Sequence, residues 1–444
     1  MQAAHDAGCA PVAEGRRGRQ ASTMRPNITP DIDLAERLFA ELHAATFDGV
    51  GITRAAYGEG ERIAHAIVRR EAEAIGLECA VDAAGNLLMA LPGEDRAAPC
   101  VVIGSHLDSV ASGGNFDGAA GVLAGLATVA GMRAAGFVPA RDVTVLAVRA
   151  EEAGAWFPTS FPGSRAATGT LPPEALAVRR MDTGRSLAEH MAEEGFDPEA
   201  VRAGVCLLPP ARVAAYVELH IEQGPVLEAE GVAAAIVTGI PGSRRLREGR
   251  VLGEYNHSGA TPRRYRRDAA IALAELAVAM DERWSELEAR GHRMVCTFCV
   301  LATTEAAGFT KIPGEAVFQL DVRSVQPASV DALFAALADR VAQIEARRGV
   351  RFELGPETGS AAVPMDAAVR AGLRQAAASL GIPVIEMASG GGHDAAAFAQ
   401  AGVPSGMVFV RNQYGSHNPH EAMRMADFAA ATAIVARWAA QAAG

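Results

Sequence analysis

The chain has 444 residues, 50% of them hydrophobic and 21% charged, with a formal net charge of −11. That length exceeds one ordinary core and predicts two domains, while the composition suits a soluble globular protein and excludes a disordered one. The acidic balance argues against nucleic acid or an anionic membrane as the main partner, and no apolar run approaches the ~20 residues of a membrane helix.

Residues 1–25 predict a disordered tail, or an upstream start ahead of Met24; the first 23 residues have no apolar signal-peptide core, so export is not expected. The six cysteines, Cys9, Cys79, Cys100, Cys206, Cys296 and Cys299, are scattered and frame no disulfide scaffold, which fits a reducing cytoplasm. From about Asp31 to Gly76 the apolar spacing is helical. Strand-like runs follow at GNLLMALPG and PCVVIGSHLDS, then a Gly-punctuated loop, the helix GAAGVLAGLATVAGMRAAG and the strand DVTVLAVRAEE. Strand–helix–strand alternation predicts an α/β sheet with parallel strands, and places His106, Asp108 and Glu151 just past strand ends, where open α/β sheets carry their sites. The strand VAAYVELHIEQGP delivers His220.

From about residue 240 the pattern changes to a loop (GEYNHSGATPRRYRRDA), a long helix, the strands HRMVCTFCVLATT and EAVFQLDVRS, and a second helix. This predicts a compact α+β unit inserted over 240–352 between two parts of the first domain, 26–239 and 353–444. Cys296 and Cys299 lie in the first of those strands, where their odd offset points them to opposite faces and predicts a core feature. A Gly-rich loop (SGGGHDAAAF), the strand GMVFVRN and a final helix close the chain.

Five side chains of metal-ligand type stand at strand ends or Gly-rich turns: His106, Asp117, Glu152, His220 and His417. Together they suit a dinuclear hydrolase site, in which two cations about 3.5–4 Å apart hold a hydroxide and polarise a carbonyl. Read singly, each has a plainer meaning. Asp117 reads as a helix N-cap, His220 as a satisfied core histidine, and the pair Glu151-Glu152 as solvated charge. On a strand, i and i+2 share a face, so Asp108 reaches the back of the His106 ring or its metal environment. Glu151 and Glu152 diverge, which lets one carboxylate bind metal while the other moves protons. Of His417 and His420 only one need be functional; His417 is favoured, with His420 exposed.

The motifs GSHLDSV, GGNFDG, EEAGAWFPTSFPGSRAATG, ELHIEQGPVLE, NHSGATP, IPGEAVFQLDVRS, GGGHDAAAF and GSHNPHEAM resemble, in order, those of the hydantoinase/carbamoylase family of amidases. That family includes N-carbamoyl-L-amino acid hydrolases, allantoate amidohydrolases and bacterial-type β-ureidopropionases, within the aminoacylase and di-zinc carboxypeptidase clan. The resemblance runs from about residue 30 to the C-terminus and is most specific at ELHIEQGPVLE, where many relatives in the clan use a carboxylate instead of His220.

The resemblance implies a mixed sheet flanked by helices, of the di-zinc exopeptidase type, with the inserted α+β unit as lid and dimerisation domain, hence a homodimer. It makes His106, Asp117 and His220 the ligands of one cation, and Asp117, Glu152 and His417 those of another, with Asp117 bridging. Glu151 becomes the general base, and Asp108 orients the metal ligands from behind. Gln223 would face substrate, Arg323 would pair with a substrate carboxylate, His257 would stabilise the oxyanion from the partner subunit, and Gly390–Gly392 with His393 would line the pocket. Two positions depart from the family: Thr310 stands where Asn is frequent, and an arginine-rich PRRYRRDA follows NHSG. Both touch substrate-facing positions and leave the metal set intact.

The implied activity is hydrolysis of a linear C–N amide or ureido bond, foremost in N-carbamoyl-L-amino acids, by metal-bound hydroxide with Glu151 as base. Zn or Mn would serve, and Co or Ni are compatible with His, Asp and Glu donors. The alternatives are an allantoate amidohydrolase, then an N-acyl amino acid hydrolase or dipeptidase, and last a non-enzymatic binding protein. No nucleic-acid or membrane partner is expected.

Overall fold

The computed structural model describes residues 28–152 and 154–444; the tail expected over 1–25 lies outside them. Eight strands form one mixed sheet in the order Glu78–Val81, Leu87–Leu91, Val143–Val148, Cys100–His106, Val213–Ile221, Ser405–Val410, Ala234–Val237 and Val384–Met387. The central strands run parallel: Cys100–His106 lies between Val143–Val148 and Val213–Ile221, and the latter pairs with Ser405–Val410. Antiparallel pairs enter where Leu87–Leu91 meets Val143–Val148 and where Ala234–Val237 meets Ser405–Val410. The parallel strands expected from the alternation form the centre and the Val384–Met387 edge, and the sheet as a whole is mixed and flanked by helices, as the resemblance implied.

Three of the central strands, CVVIGSH, VTVLAV and SGMVFV, are buried along their whole length. This is the uniform apolar pattern of strands covered on both faces. On one face the helices Ala119–Ala134 and Met425–Ala442 pack side by side against the sheet, and Ile32–Thr46 packs on Ala119–Ala134. A Cβ on Gly121 would fall 2.3 Å from the Leu219 carbonyl oxygen. Glycine there lets the helix rest against the strand that carries His220. On the other face Tyr216 stacks on Phe398 of the helix Asp394–Gln400, with ring centroids 4.0 Å apart.

A second, antiparallel sheet joins Val295–Thr303, Glu315–Ser324, Gly242–Leu252 and Arg351–Glu353, with Glu357–Ser360 also paired to Gly242–Leu252. The helices Ala269–Ala289 and Pro327–Arg348 pack on it around a separate core that includes Leu246, Leu273, Phe318 and Leu333. Cys296 packs against that core, but Cys299 is exposed at a register shift between Phe298 and Val300. The strand's alternation puts Cys296 and Phe298 on the core face and Cys299 on the opposite, exposed face, so the two thiols do point apart and the core feature is Cys296 alone. Among the described residues no helix is long and apolar enough to cross a membrane.

Candidate metal centre

His106 is the last residue of its strand and His220 the penultimate residue of the neighbouring one. Both rings are buried, and each donates Nδ1–H to a backbone carbonyl, His106 to Asp108 O (3.0 Å) and His220 to Ile221 O (2.8 Å). Those bonds fix the tautomers and leave Nε2 of each ring as a lone-pair donor. The two Nε2 atoms face one another at 3.4 Å. Two lone pairs held so close need a cation between them.

Asp117 lies across from both rings. Its Oδ1 is 3.1 Å from His220 Nε2 and 3.6 Å from His106 Nε2, while its Oδ2 is 3.4 Å from His417 Nε2. One oxygen thus serves each side. His106, Asp117 and His220 form one group whose donor atoms lie within 4.8 Å of one another, and Asp117, Glu152 and His417 form a second. Oε1 of Glu152 is 3.5 Å from His417 Nε2, buried and without a hydrogen-bond partner. An orphaned buried carboxylate oxygen of this kind is costly unless a cation meets it. Buried carboxyls of Asp108, Glu151, Glu218, Asp394 and Glu421 crowd the same region. The donor set fits two divalent ions.

The N-cap reading of Asp117 fails: Gly118, at φ +66, caps the helix and Asp117 turns into the site. A Cβ at Gly118 would sit 2.4 Å from the His106 ring. Gly118→Ala is expected to cost about 1–3 kcal/mol in backbone strain and to push His106 off its partners. A lowered thermal midpoint together with weakened metal uptake would check it.

Asp108 acts from a loop instead of the strand assumed for it, because the strand ends at His106. Its Oδ1 is 3.3 Å from His106 Nδ1, and its two oxygens accept the backbone N–H groups of Glu151 (3.0 Å) and Glu152 (3.1 Å). The preceding Ala150 is left-handed (φ +58) and donates its N–H to Glu61, itself paired with buried Arg149 at 2.7 Å. This strained turn splays the two glutamates. Glu151 Oε2 lies 3.7 Å from His106 Nε2, on the other side of the site from Glu152's contact with His417.

The electrostatics follow from burial and crowding. Burial, then the charge of Asp117, raises Glu152 to about 7. Burial likewise holds Glu151 well above the carboxylate range, against the pull of His106. Asp117 goes the other way: burial opposes its charge, but the adjacent His220, His417 and His106 rings favour it and hold it well below the usual range. Burial, then Glu218, raises Asp394 to about 8.

Gln223, left-handed at φ +63, donates from Nε2 to Asp117 Oδ2 at 2.9 Å. His417 is left-handed too (φ +60) and half exposed, and His420 is exposed. Gln223, His417, Arg323, Gly390 and Gly391 line one cleft of about 1090 Å³ between the two sheets. Arg323 bonds Asp321 and donates to the Gly390 carbonyl at 3.3 Å. His393 is buried behind the cleft, edge-to-face with His220 and 2.9 Å from Ser389 Oγ. His257 and Thr310 lie apart from the cluster and are exposed; His257 pairs in a short strand with Lys311, and the Thr310 carbonyl accepts from Ser258 N.

Sequence reasoning missed several supports. Glu421 accepts the N–H groups of Phe116 (2.9 Å) and Asp117 (3.2 Å) and lies 2.6 Å from Ser416 Oγ, which is 2.7 Å from Asp117 Oδ2. The single Ser416 hydrogen cannot satisfy two carboxylates. Burial, then the charge of Asp117, raises Glu421 to about 7. Asn412 fixes Gln223 by accepting its N–H at 3.0 Å. Arg54 is fully buried beside the loop from His106 to Asp117. Glu421 stood within a quoted motif; Arg54 and Asn412 gave no pattern to read.

Residues 102–441 match the model of peptidase family M20/M25/M40. Over 372 residues the chain is 39% identical to an N-carbamoyl-L-amino acid amidohydrolase of Geobacillus stearothermophilus, covering 84% of this chain and 88% of that protein. It is 32% identical to an allantoate amidohydrolase of Bacillus subtilis, over 85% of this chain and 89% of the relative. The crystal structure of a hydantoinase/carbamoylase family amidase from Burkholderia ambifaria matches with a TM-score of 0.84 at 33% identity, over 94% of this chain and 97% of that one.

Proposed function

The chain belongs to peptidase family M20/M25/M40, among its hydantoinase/carbamoylase amidases, and is a metal-dependent hydrolase of linear amides; from that premise we propose that it acts on N-carbamoyl-L-amino acids. The observation that carries the reading is Asp117, whose two oxygens each face a separate set of ligand-type side chains. His106, Asp117 and His220 would hold one cation, and Asp117, Glu152 and His417 the other, as Zn²⁺ or Mn²⁺, with Co²⁺ and Ni²⁺ also suited to these donors.

When bound, such ions supply Lewis acidity, polarising the scissile carbonyl and making water acidic enough to react near neutral pH. Glu151, buried beside the His106 ring, would take the proton of the attacking water and return it to the leaving nitrogen. Asp108 holds the backbone of that glutamate in place. Arg323 on the cleft wall would grip the substrate carboxylate, a task that suits the planar guanidinium fork. Gln223 would orient the ureido group, and Gly391 would leave room for it, with His393 bracing His220 from behind. His257, on an exposed segment paired with the one that carries Thr310, would reach the oxyanion from the partner subunit of a homodimer. The products would be the amino acid, ammonia and carbon dioxide. Free thiols at Cys79, Cys100, Cys206, Cys296 and Cys299 support a reducing, cytoplasmic setting.

A panel of N-carbamoyl-L-amino acids, β-ureidopropionate, allantoate and N-acetyl-L-amino acids tests the assignment by kcat/KM. N-carbamoyl-L-amino acids should lead. Preference for allantoate, which the Bacillus subtilis relative makes the second reading, would move the assignment within the family; preference for N-acetyl substrates would overturn it.

A further inference from the structure

We infer that Arg54 is a positioning residue for the metal centre, locking both ends of the loop that joins His106 to Asp117. The inference rests on the dinuclear reading of the site. Arg54 comes from the segment between the helices Ile32–Thr46 and Glu59–Ala74, and its side chain is fully buried. Its Nε donates to the carbonyl of Leu107, next to His106, at 2.6 Å. From the other side of the same planar group, Nη2 donates to the carbonyl of Asp117 itself at 3.4 Å, and Nη1 to Asn115 Oδ1 at 3.3 Å. Asn115 in turn donates to the Phe39 carbonyl at 2.9 Å. The backbone is fastened too: Ser109 N donates to Arg54 O, and Arg54 N to Ser109 Oγ, each at 2.9 Å.

These bonds have a consequence for the site. The loop between the two ligands contains Gly113 and Gly114, and its ends are anchored separately: Leu107 is buried in the core, while Phe116 packs on Phe39 and Glu421 holds the Phe116 and Asp117 N–H groups. The rigid Arg54 guanidinium adds a direct tie between those two ends, from Leu107 to Asp117. All three of its hydrogen bonds go to neutral oxygens. A buried guanidinium in that position is costly unless charge nearby offsets it, and the acids that attract it are Glu421, Asp117, Asp108 and Glu152, all of them at the site. Arg54 therefore supplies positive charge beneath a crowded acidic cluster without contacting the ligand atoms. Lysine would preserve the charge and lose the fork.

The test is Mn²⁺ binding to the chelator-stripped full-length protein, followed by the electron paramagnetic resonance of free Mn²⁺, alongside apo thermal melts. Arg54→Met is expected to weaken the tighter Mn²⁺ site by about 10–100-fold, the range found when groups behind metal ligands are removed. Arg54→Lys should recover only part of that loss, because the span between Leu107 and Asp117 is missing. Asn115→Ala keeps Arg54 but removes one brace of its fork; it should weaken Mn²⁺ in the same direction and serves if Arg54→Met does not fold. Unchanged Mn²⁺ affinity in both Arg54→Lys and Asn115→Ala, with only the apo melting temperature lowered, would overturn the inference and leave Arg54 a purely structural residue. Failure of the dinuclear reading would look different: the wild-type protein would bind fewer than two Mn²⁺ ions per chain.

Discussion

Replacing Glu151 with Gln is expected to lower kcat by about 10²–10⁴-fold, the range for losing a positioned general base, while the bound metal stays. The physical grounds are local. Glu151 points at the His106 face of the site, 3.7 Å from Nε2, yet belongs to neither ligand group; that place is taken by its neighbour Glu152. Glutamine keeps the size and the backbone bond to Asp108, so the ligands stay put and only proton acceptance is lost. Metal analysis and steady-state rates on one sample separate the two effects. Turnover within a few-fold of wild type would remove Glu151 from the role of base.

The second large effect is expected at Asp117. Its Oδ1 faces His106 and His220, and its Oδ2 faces His417, so Asp117→Ala deletes a donor from both groups at once. Both cations should be lost, not one, and hydrolysis should fall to background. His106→Ala, by contrast, should empty only the side it shares with His220. Metal content measured after dialysis distinguishes the cases. An Asp117→Ala protein that keeps one tightly held ion would mean that the carboxylate does not bridge.

Long, uniformly apolar runs such as CVVIGSH and VTVLAV identified the central strands, and strand ends are where an α/β sheet exposes polar side chains. The positions of His106 and Glu151 could therefore be read from pattern alone. Asp117 could not, because its local signature is that of an N-cap; only the left-handed Gly118 takes the cap and frees the carboxylate. The strand Gly242–Leu252 escaped notice for a related reason. Its residues GSRRLREGRVL look solvated, yet it pairs with strands on both edges at the centre of the second sheet, with Leu246 and Val251 inward, Arg244 laid over the Phe334 ring and the other arginines outward.

The supports behind the ligands were the least legible. Arg54 sits 63 residues from the Asp117 carbonyl it holds, and Glu421 is 304 residues from the Asp117 N–H it accepts. Neither spacing carries a local period. The apolar run from Asp31 to Gly76 also read as helical, whereas residues 47–58 break it, and that break delivers Arg54. The glycines of FDGVGITRAAYGEG were the visible sign of the interruption.

The most direct test of the account is ammonia release from an N-carbamoyl-L-amino acid by one protein sample carried through three states: metal-loaded, chelator-stripped and reloaded with Mn²⁺. Release is expected in the first state, none in the second, and recovery in the third as Mn²⁺ approaches about two ions per chain, the number a shared-carboxylate site holds. Release that survives complete stripping would contradict the account, as would silence in a sample shown to carry both ions.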